Sequence, residues 1–200
     1  MSHPLELCSL KGATAVLGGS FDPIHLGHLH LGGQILSRSP IEKVLFVPCG
    51  RHNFKKDSLH LDFNHRFNLV KEAIKGYPRF ALGEEDRQGS GYSADLMKKL
   101  YRQNPATSFV FVLGSDNLPS LPRWHNYAWL KSSVPFLVLP RPGYPVAEEV
   151  LVALNAVVLD IEPSPVSATE IRERIWRGET IRGLVPQALE SKITELYRRG

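Results

Sequence analysis

The sequence predicts an α/β fold, a Rossmann-like doubly wound parallel sheet with helices on both faces and a small helical C-terminal part. Three observations predict it. Short apolar, β-branched-rich runs recur along the 200 residues, amphipathic stretches separate them, and a glycine-rich segment joins the first run directly to a helix.

Taken in order, the strands are expected at Thr14–Leu17, Val44–Val47, Phe80–Leu82, Phe109–Leu113, Val134–Leu139 and Val157–Leu159. Each is a nearly unbroken apolar run of the kind that is buried on both faces. Helices are expected near Gly27–Ser37, Asn64–Ile74, Ser93–Arg102 and Glu148–Leu154, then Thr169–Arg177 and Gln187–Arg198. Such alternation makes βαβ units, whose sheets bind ligands where the carboxyl ends of neighbouring strands diverge. Functional residues are therefore sought just after strands. With no repeat and no Pro-, Gly- or Ser-rich linker, residues 1–200 read as a single domain, of which about 166–200 form the helical C-terminal subregion.

Composition narrows the partners. The chain is 42% hydrophobic and 22% charged, with a formal net charge of +4, and its Lys and Arg are interleaved with Asp and Glu. That balance suits a small anionic ligand; nucleic acid and membrane partners are not expected. The sequence contains neither a run of apolar residues long enough to span a membrane nor a signal-peptide pattern, so a cytoplasmic protein is expected. Cys8 and Cys49 stand outside any C-x-x-C pattern and suggest neither a disulfide framework nor a thiolate zinc site. A homo-oligomer stays open, because an interface patch and a core stripe look alike in one sequence.

The chemistry concentrates in Gly18-Gly19-Ser20-Phe21-Asp22-Pro23-Ile24-His25-Leu26-Gly27-His28-Leu29, between the first strand and its helix. Glycines let main-chain N–H groups approach a phosphate, and the following helix directs its positive end at the same place. His25 and His28 are three apart and can share one side of the first helical turn, while Gly27 leaves room for a base or ribose. A tight turn with surface histidines would explain a lone Gly-Gly pair. Glycines, histidines and strand-to-helix context together favour the ligand site. Zinc on His25, His28 and His30 is disfavoured, since His30 projects elsewhere and no carboxylate or cysteine stands at ligand spacing.

This segment resembles the H-x-G-H nucleotidyltransferase superfamily, and its longer form, G-G-S-F-D-P-I-H-x-G-H-L, is similar to that of the bacterial nicotinate-mononucleotide adenylyltransferases. The resemblance runs from about residue 14 to residue 195. It implies transfer of AMP from ATP to nicotinate mononucleotide in NAD synthesis, with nicotinamide mononucleotide the alternative acceptor, with His25 and His28 catalytic and Mg2+ carried mainly on the ATP phosphates, so that no protein metal cage is expected.

Further segments fall in the family's order. Val166-Ser167-Ala168-Thr169-Glu170-Ile171-Arg172 resembles I-S-S-T-x-I-R. Ser167 and Glu170 have capping-box spacing, so Thr169 lies among free N–H groups in a helical first turn, with Arg172 nearby: a second phosphate cradle. Gly114 and Asp116 follow the fourth strand, where a ribose-binding carboxylate belongs, and Arg141 opens an R-P-G turn after the fifth. Together with Gly18, Gly19, Ser20, Phe21 and Gly27, these complete the expected ATP site.

For the acceptor, the resemblance implies Lys55, Arg66, Tyr92, Ser93 and Trp124. Two stretches depart from the pattern. Residues 51–56 lack the prolines and histidine of V-P-x-G-x-P-P-H-K, and residues 89–96 carry Gly-Ser-Gly-Tyr-Ser where the family has G-P-S-Y-T. Both fall where the mononucleotide is expected. Rival readings are a pantetheine-phosphate adenylyltransferase, a cytidylyltransferase, an aminoacyl-tRNA synthetase fragment and a non-catalytic nucleotide sensor. The synthetase reading lacks its K-M-S-K-S-like loop, and intact cradles at both ends of the chain weigh against the sensor.

Overall fold

In the computed structural model, which describes residues 5–50 and 59–198, six strands form one parallel sheet in the order β3-β2-β1-β4-β5-β6. The strands are β1 (Thr14–Gly19), β2 (Lys43–Pro48), β3 (Phe80–Leu82), β4 (Phe109–Gly114), β5 (Phe136–Leu139) and β6 (Ala156–Val158). Side chains alternate between two cores, as strand geometry requires. Ala15, Leu17, Val110, Val112, Leu137 and Leu139 face one side, while Val16, Phe109, Phe111, Leu113, Phe136 and Val138 face the other. Both faces are covered, which explains the unbroken apolar runs.

The first face is covered by α1 (Leu26–Arg38), α2 (Phe63–Ala73), α6 (Ala168–Trp176) and α7 (Glu190–Arg198). The second is covered by α3 (Ser93–Gln103), α4 (Tyr127–Ser133) and α5 (Glu148–Leu154). Ile171, Ile175, Ile193 and Tyr197 of the C-terminal helices share the core of β1 and α1, so this part packs on the sheet. No helix among the described residues is long and apolar enough to cross a membrane.

Several boundaries differ from expectation. Helix α4 was not expected; seven residues holding two aromatics and two serines make too short a pattern for the helical period to show. Strand β5 begins at Phe136, not Val134, because Pro135 lacks an N–H for the ladder. Gly18 and Gly19 are the last residues of β1, paired with Val47 and Pro48, so the loop proper starts at Ser20. Only Glu190–Arg198 of the last expected helix is α-helical, after a 3-10 turn over Gln187–Leu189.

The sheet also shows where a ligand fits. The β1–β4 ladder ends at Val16↔Phe111, yet β1 continues to Gly19 and β4 to Gly114. Their ends therefore part, opening a crevice at the switch point between the two halves of the sheet.

Candidate active site

A cleft of about 350 Å³ fills this crevice, bounded by Gly18–Ser20, the β4 end and the turn before α3. A second lobe of about 380 Å³ lies between the start of α1 and residues 161–168 ahead of α6. His28, Leu31 and Arg141 line both lobes. The two segments expected to hold phosphate thus face a common space.

The first of them is built around Phe21. Its φ of 47° is left-handed, a costly conformation for a bulky residue, held by packing on every side. The ring is buried and turned inward, meeting His28 edge-on at 4.9 Å and Phe46 at 5.8 Å. A Cβ on Gly19 would come within 3.2 Å of this ring, so the glycine makes room for the aromatic support of His28 as well as for a ligand. Gly18, Gly19 and Ser20 line the cleft from this segment, and Phe21 does not.

His25 caps α1, and His28 lies one turn further on, with the two rings stacked at 3.7 Å. Pairing on one side is thus achieved, with α1 beginning at Leu26. The His25 N–H donates to Nδ1 of His28 at 3.3 Å, so the neutral ring carries its proton on Nε2 and has a donor to offer. Burial lowers the His25 pKa from 6.5 to about 4. His28 is held well below 6.5, first by burial, then by positive charge at His25 and Arg141. The buried Nδ1 of His25 has no hydrogen-bond partner among the described residues. Such a pair suits an anion, whose charge would raise both pKa values on arrival. His30 is exposed, and among the described residues no three His, Cys, Asp or Glu side chains group as a metal site.

Across the second lobe, Ser167 accepts the Glu170 N–H at 3.2 Å and so starts α6. Half of the expected capping box forms; the Glu170 carboxylate pairs instead with Arg174 at 2.8 Å. Thr169 is exposed in the first turn. Arg172 donates to the Asp22 carbonyl at 2.7 Å and to Thr169 Oγ1 at 3.3 Å, fastening α6 to the loop after β1. Its position therefore ties the two cradles together in the first instance. Gly27 permits the same approach, since a Cβ there would lie 3.0 Å from Ser164 Oγ.

At the other wall, Asp116 folds back over Gly114, where a Cβ would lie only 2.3 Å from the carboxylate oxygen. Arg141 faces Asp116 at 4.0 Å. Buried Ser115 joins the β4 and β5 ends, accepting the Arg141 N–H at 2.9 Å and donating to the Tyr144 carbonyl at 2.8 Å. Tyr92, Ser93 and Trp124 line the crevice, with Tyr92 stacked on His125 at 4.5 Å.

Lys55 lies outside the described residues. Arg66 was expected to face the acceptor but is 1% exposed beneath the loops, donating to the carbonyls of Ser20 (2.7 Å), Cys49 (2.8 Å) and Leu61 (3.0 Å). Its guanidinium braces the turns after β1 and β2, and it does not line the cleft.

Three groups were missed in the sequence. Asp22 is buried and accepts the N–H groups of His60 (2.8 Å) and Leu61 (3.2 Å) together with the Tyr197 hydroxyl. Asp86 is a buried carboxylate on the crevice wall, and Cys49 lines the same wall, its thiol pKa raised chiefly by burial. Asp22 could have been noticed as an acidic residue inside the glycine-rich segment; the others carry no sequence signal.

Known proteins resemble this chain in sequence and in fold. Residues 16–174 match the cytidylyltransferase-like family model. A probable nicotinate-nucleotide adenylyltransferase of Clostridium tetani is 32% identical, the match covering 92% of this chain and 98% of the relative. One from Methylacidiphilum infernorum is 36% identical over 90% of this chain and 89% of its own. Among solved structures, the Plasmodium falciparum nicotinic acid mononucleotide adenylyltransferase complexed with NaAD shares the fold, with a TM-score of 0.79 at 22% identity, covering 94% of this chain and 98% of that one.

Proposed function

Because the chain belongs to the nicotinate-nucleotide adenylyltransferase family, we propose that it joins the AMP of ATP to nicotinate mononucleotide, releasing pyrophosphate and forming nicotinate adenine dinucleotide for NAD synthesis. The observation that carries this reading is the two-lobed cleft, with His28 and Arg141 at the junction of its lobes. ATP would lie in the lobe between α1 and α6 with its ribose reaching past Arg141 to Asp116 at the β4 end, and the mononucleotide would fill the crevice toward Cys49, Tyr92 and Ser93. Their reacting phosphates then meet beside the histidine pair.

A phosphate monoester is already mostly dianionic at neutral pH, its second pKa being about 6, so the acceptor oxygen needs no enzymic base. It attacks the α-phosphorus in line and pyrophosphate departs, which leaves alignment and charge neutralisation to the protein. His25 and His28 donate to the phosphate oxygens as charge builds, His28 through its Nε2–H. Main-chain N–H groups at Gly18–Phe21 and Ser167–Thr169 are fixed in advance and lose no energy to reorganisation. Arg141 adds positive charge, and Asp116 takes the ribose hydroxyls of ATP. Lys55, Tyr92, Ser93 and Trp124 serve the acceptor; Arg66 and Arg172 serve by bracing. Mg2+ would be carried mainly on the ATP phosphates, where it would neutralise their charge beside His25, His28 and Arg141.

Incubation with ATP, Mg2+ and either nicotinate or nicotinamide mononucleotide tests the reading. Dinucleotide and pyrophosphate should form with the acid, and His28→Ala should lower turnover by about a hundredfold with its circular dichroism intact. Dinucleotide from neither acceptor would overturn the assignment; dinucleotide from the amide alone would reassign the acceptor.

A further inference from the structure

The crevice wall near Tyr92 is made of two turns from distant parts of the chain. One leaves β2 through Cys49 and Gly50; the other runs from Gly89 to Ser93 into α3. The Asp86 side chain joins them. Asp86 Oδ2 accepts the Gly50 N–H at 2.9 Å, and Oδ1 accepts the Gly91 N–H at 3.2 Å. The carboxylate is 4% exposed, and burial raises its pKa more than these bonds lower it, so placing it here is costly.

Both turns are shaped around this group. A Cβ on Gly50 would lie 2.0 Å from the Asp86 carbonyl oxygen, and one on Gly89 would lie 1.9 Å from Asp86 Oδ1. Gly91 has φ 75°, which lets its N–H turn toward the carboxylate. Each turn is also anchored from behind: Arg66 holds the Cys49 carbonyl at 2.8 Å, and Lys99 holds the Glu85 carbonyl at 2.7 Å. The same stretch, Gly89–Ser93, lacks the proline of the resembling pattern.

We propose that Asp86 is a positioning residue for the mononucleotide acceptor, latching the turn after β2 to the turn before α3 and so fixing the crevice wall that carries Cys49, Tyr92 and Ser93. Two charge-assisted hydrogen bonds across the chain do here what a rigid ring would do within one turn. Asp86 is absent from the lobe beside α6 and bonds the turns that carry Cys49, Tyr92 and Ser93, away from Asp116 and Arg141 at the ATP ribose, so its effect falls on the acceptor. The inference rests on the acceptor placement proposed above.

The test is Asp86→Asn, which keeps the shape but presents an amide N–H₂ to one of the two main-chain N–H groups. Acceptor KM should rise about tenfold or more while ATP KM moves by less than about twofold. Amide exchange at Gly50 and Gly91 should quicken in the variant, with β1 and β4 amides unchanged. A parallel rise in both KM values, or no change in either, would overturn the latch. Should the variant fail to fold, wild-type exchange decides: protection of both glycine amides is required, and fast exchange at either sinks the proposal. Failure of the wild type to use any pyridine mononucleotide would fault the acceptor reading instead, which the wild-type assay reports separately.

Discussion

At the scale of single residues, the paired imidazoles set a condition on stability. His25 is buried with its pKa lowered to about 4, whereas its unfolded value is near 6.5. Above pH 6.5 the ring is neutral in both states and pH has no effect through it. Between 6.5 and about 4 the unfolded chain binds a proton that the folded chain refuses, so stability falls as pH falls, by up to about 3 kcal/mol. His28 acts in the same direction. Urea denaturation at pH 7 and pH 4.5 checks this. The loss of stability between the two pH values should be about 2 kcal/mol smaller in His25→Gln than in the parent, and equal losses would mean that His25 is not held neutral. In the proposed function the same refusal has a functional side, since the rings would become strong cationic donors only once a triphosphate brought opposing charge.

At the scale of elements, α1 aims the histidines, and its seat on the sheet depends on one glycine. A Cβ on Gly32 would lie 2.8 Å from the Phe80 ring and 3.1 Å from Phe46, rings that pack on each other at 5.0 Å in the core. Its neighbour Gly33 is exposed, and a methyl group added there would meet nothing within 4 Å. Gly32→Ala should therefore destabilise by about 1–3 kcal/mol through overpacking, while Gly33→Ala should stabilise by about 1 kcal/mol through helix propensity. Opposite shifts in urea midpoint are expected; shifts of the same sign would mean that α1 is not seated this closely. Reading α1 from sequence succeeded because its apolar face, glycines and histidines are contiguous. Reading α4 failed because two turns of helix leave too few apolar positions to reveal a period.

At the scale of the whole molecule, chain segments far apart in sequence converge on the loop after β1. Asp22 receives His60 and Leu61 from ahead of α2 and Tyr197 from the final helix, and its carbonyl receives Arg172 from α6. The C-terminal helices thereby bring Ser167 and Ala168 opposite His25 and His28. The turn into α1 and the start of α6 were legible one by one, because each is a run of neighbouring residues whose spacing marks a helix start. Their meeting was an inference from chemistry, since no local pattern says that residue 172 touches residue 22. Arg66 and Asp86 were illegible for a related reason: their partners are main-chain carbonyls and N–H groups, which leave no trace in residue type.

That meeting of two cradles across one ligand is the claim on which the proposed activity depends. A crystal structure with α,β-methylene ATP and Mg2+ tests it directly. The triphosphate should contact the His25–His28 pair on one side and the first turn of α6, at Ser167 and Thr169, on the other. A triphosphate that meets only one of these segments, or binds outside the cleft, would contradict it.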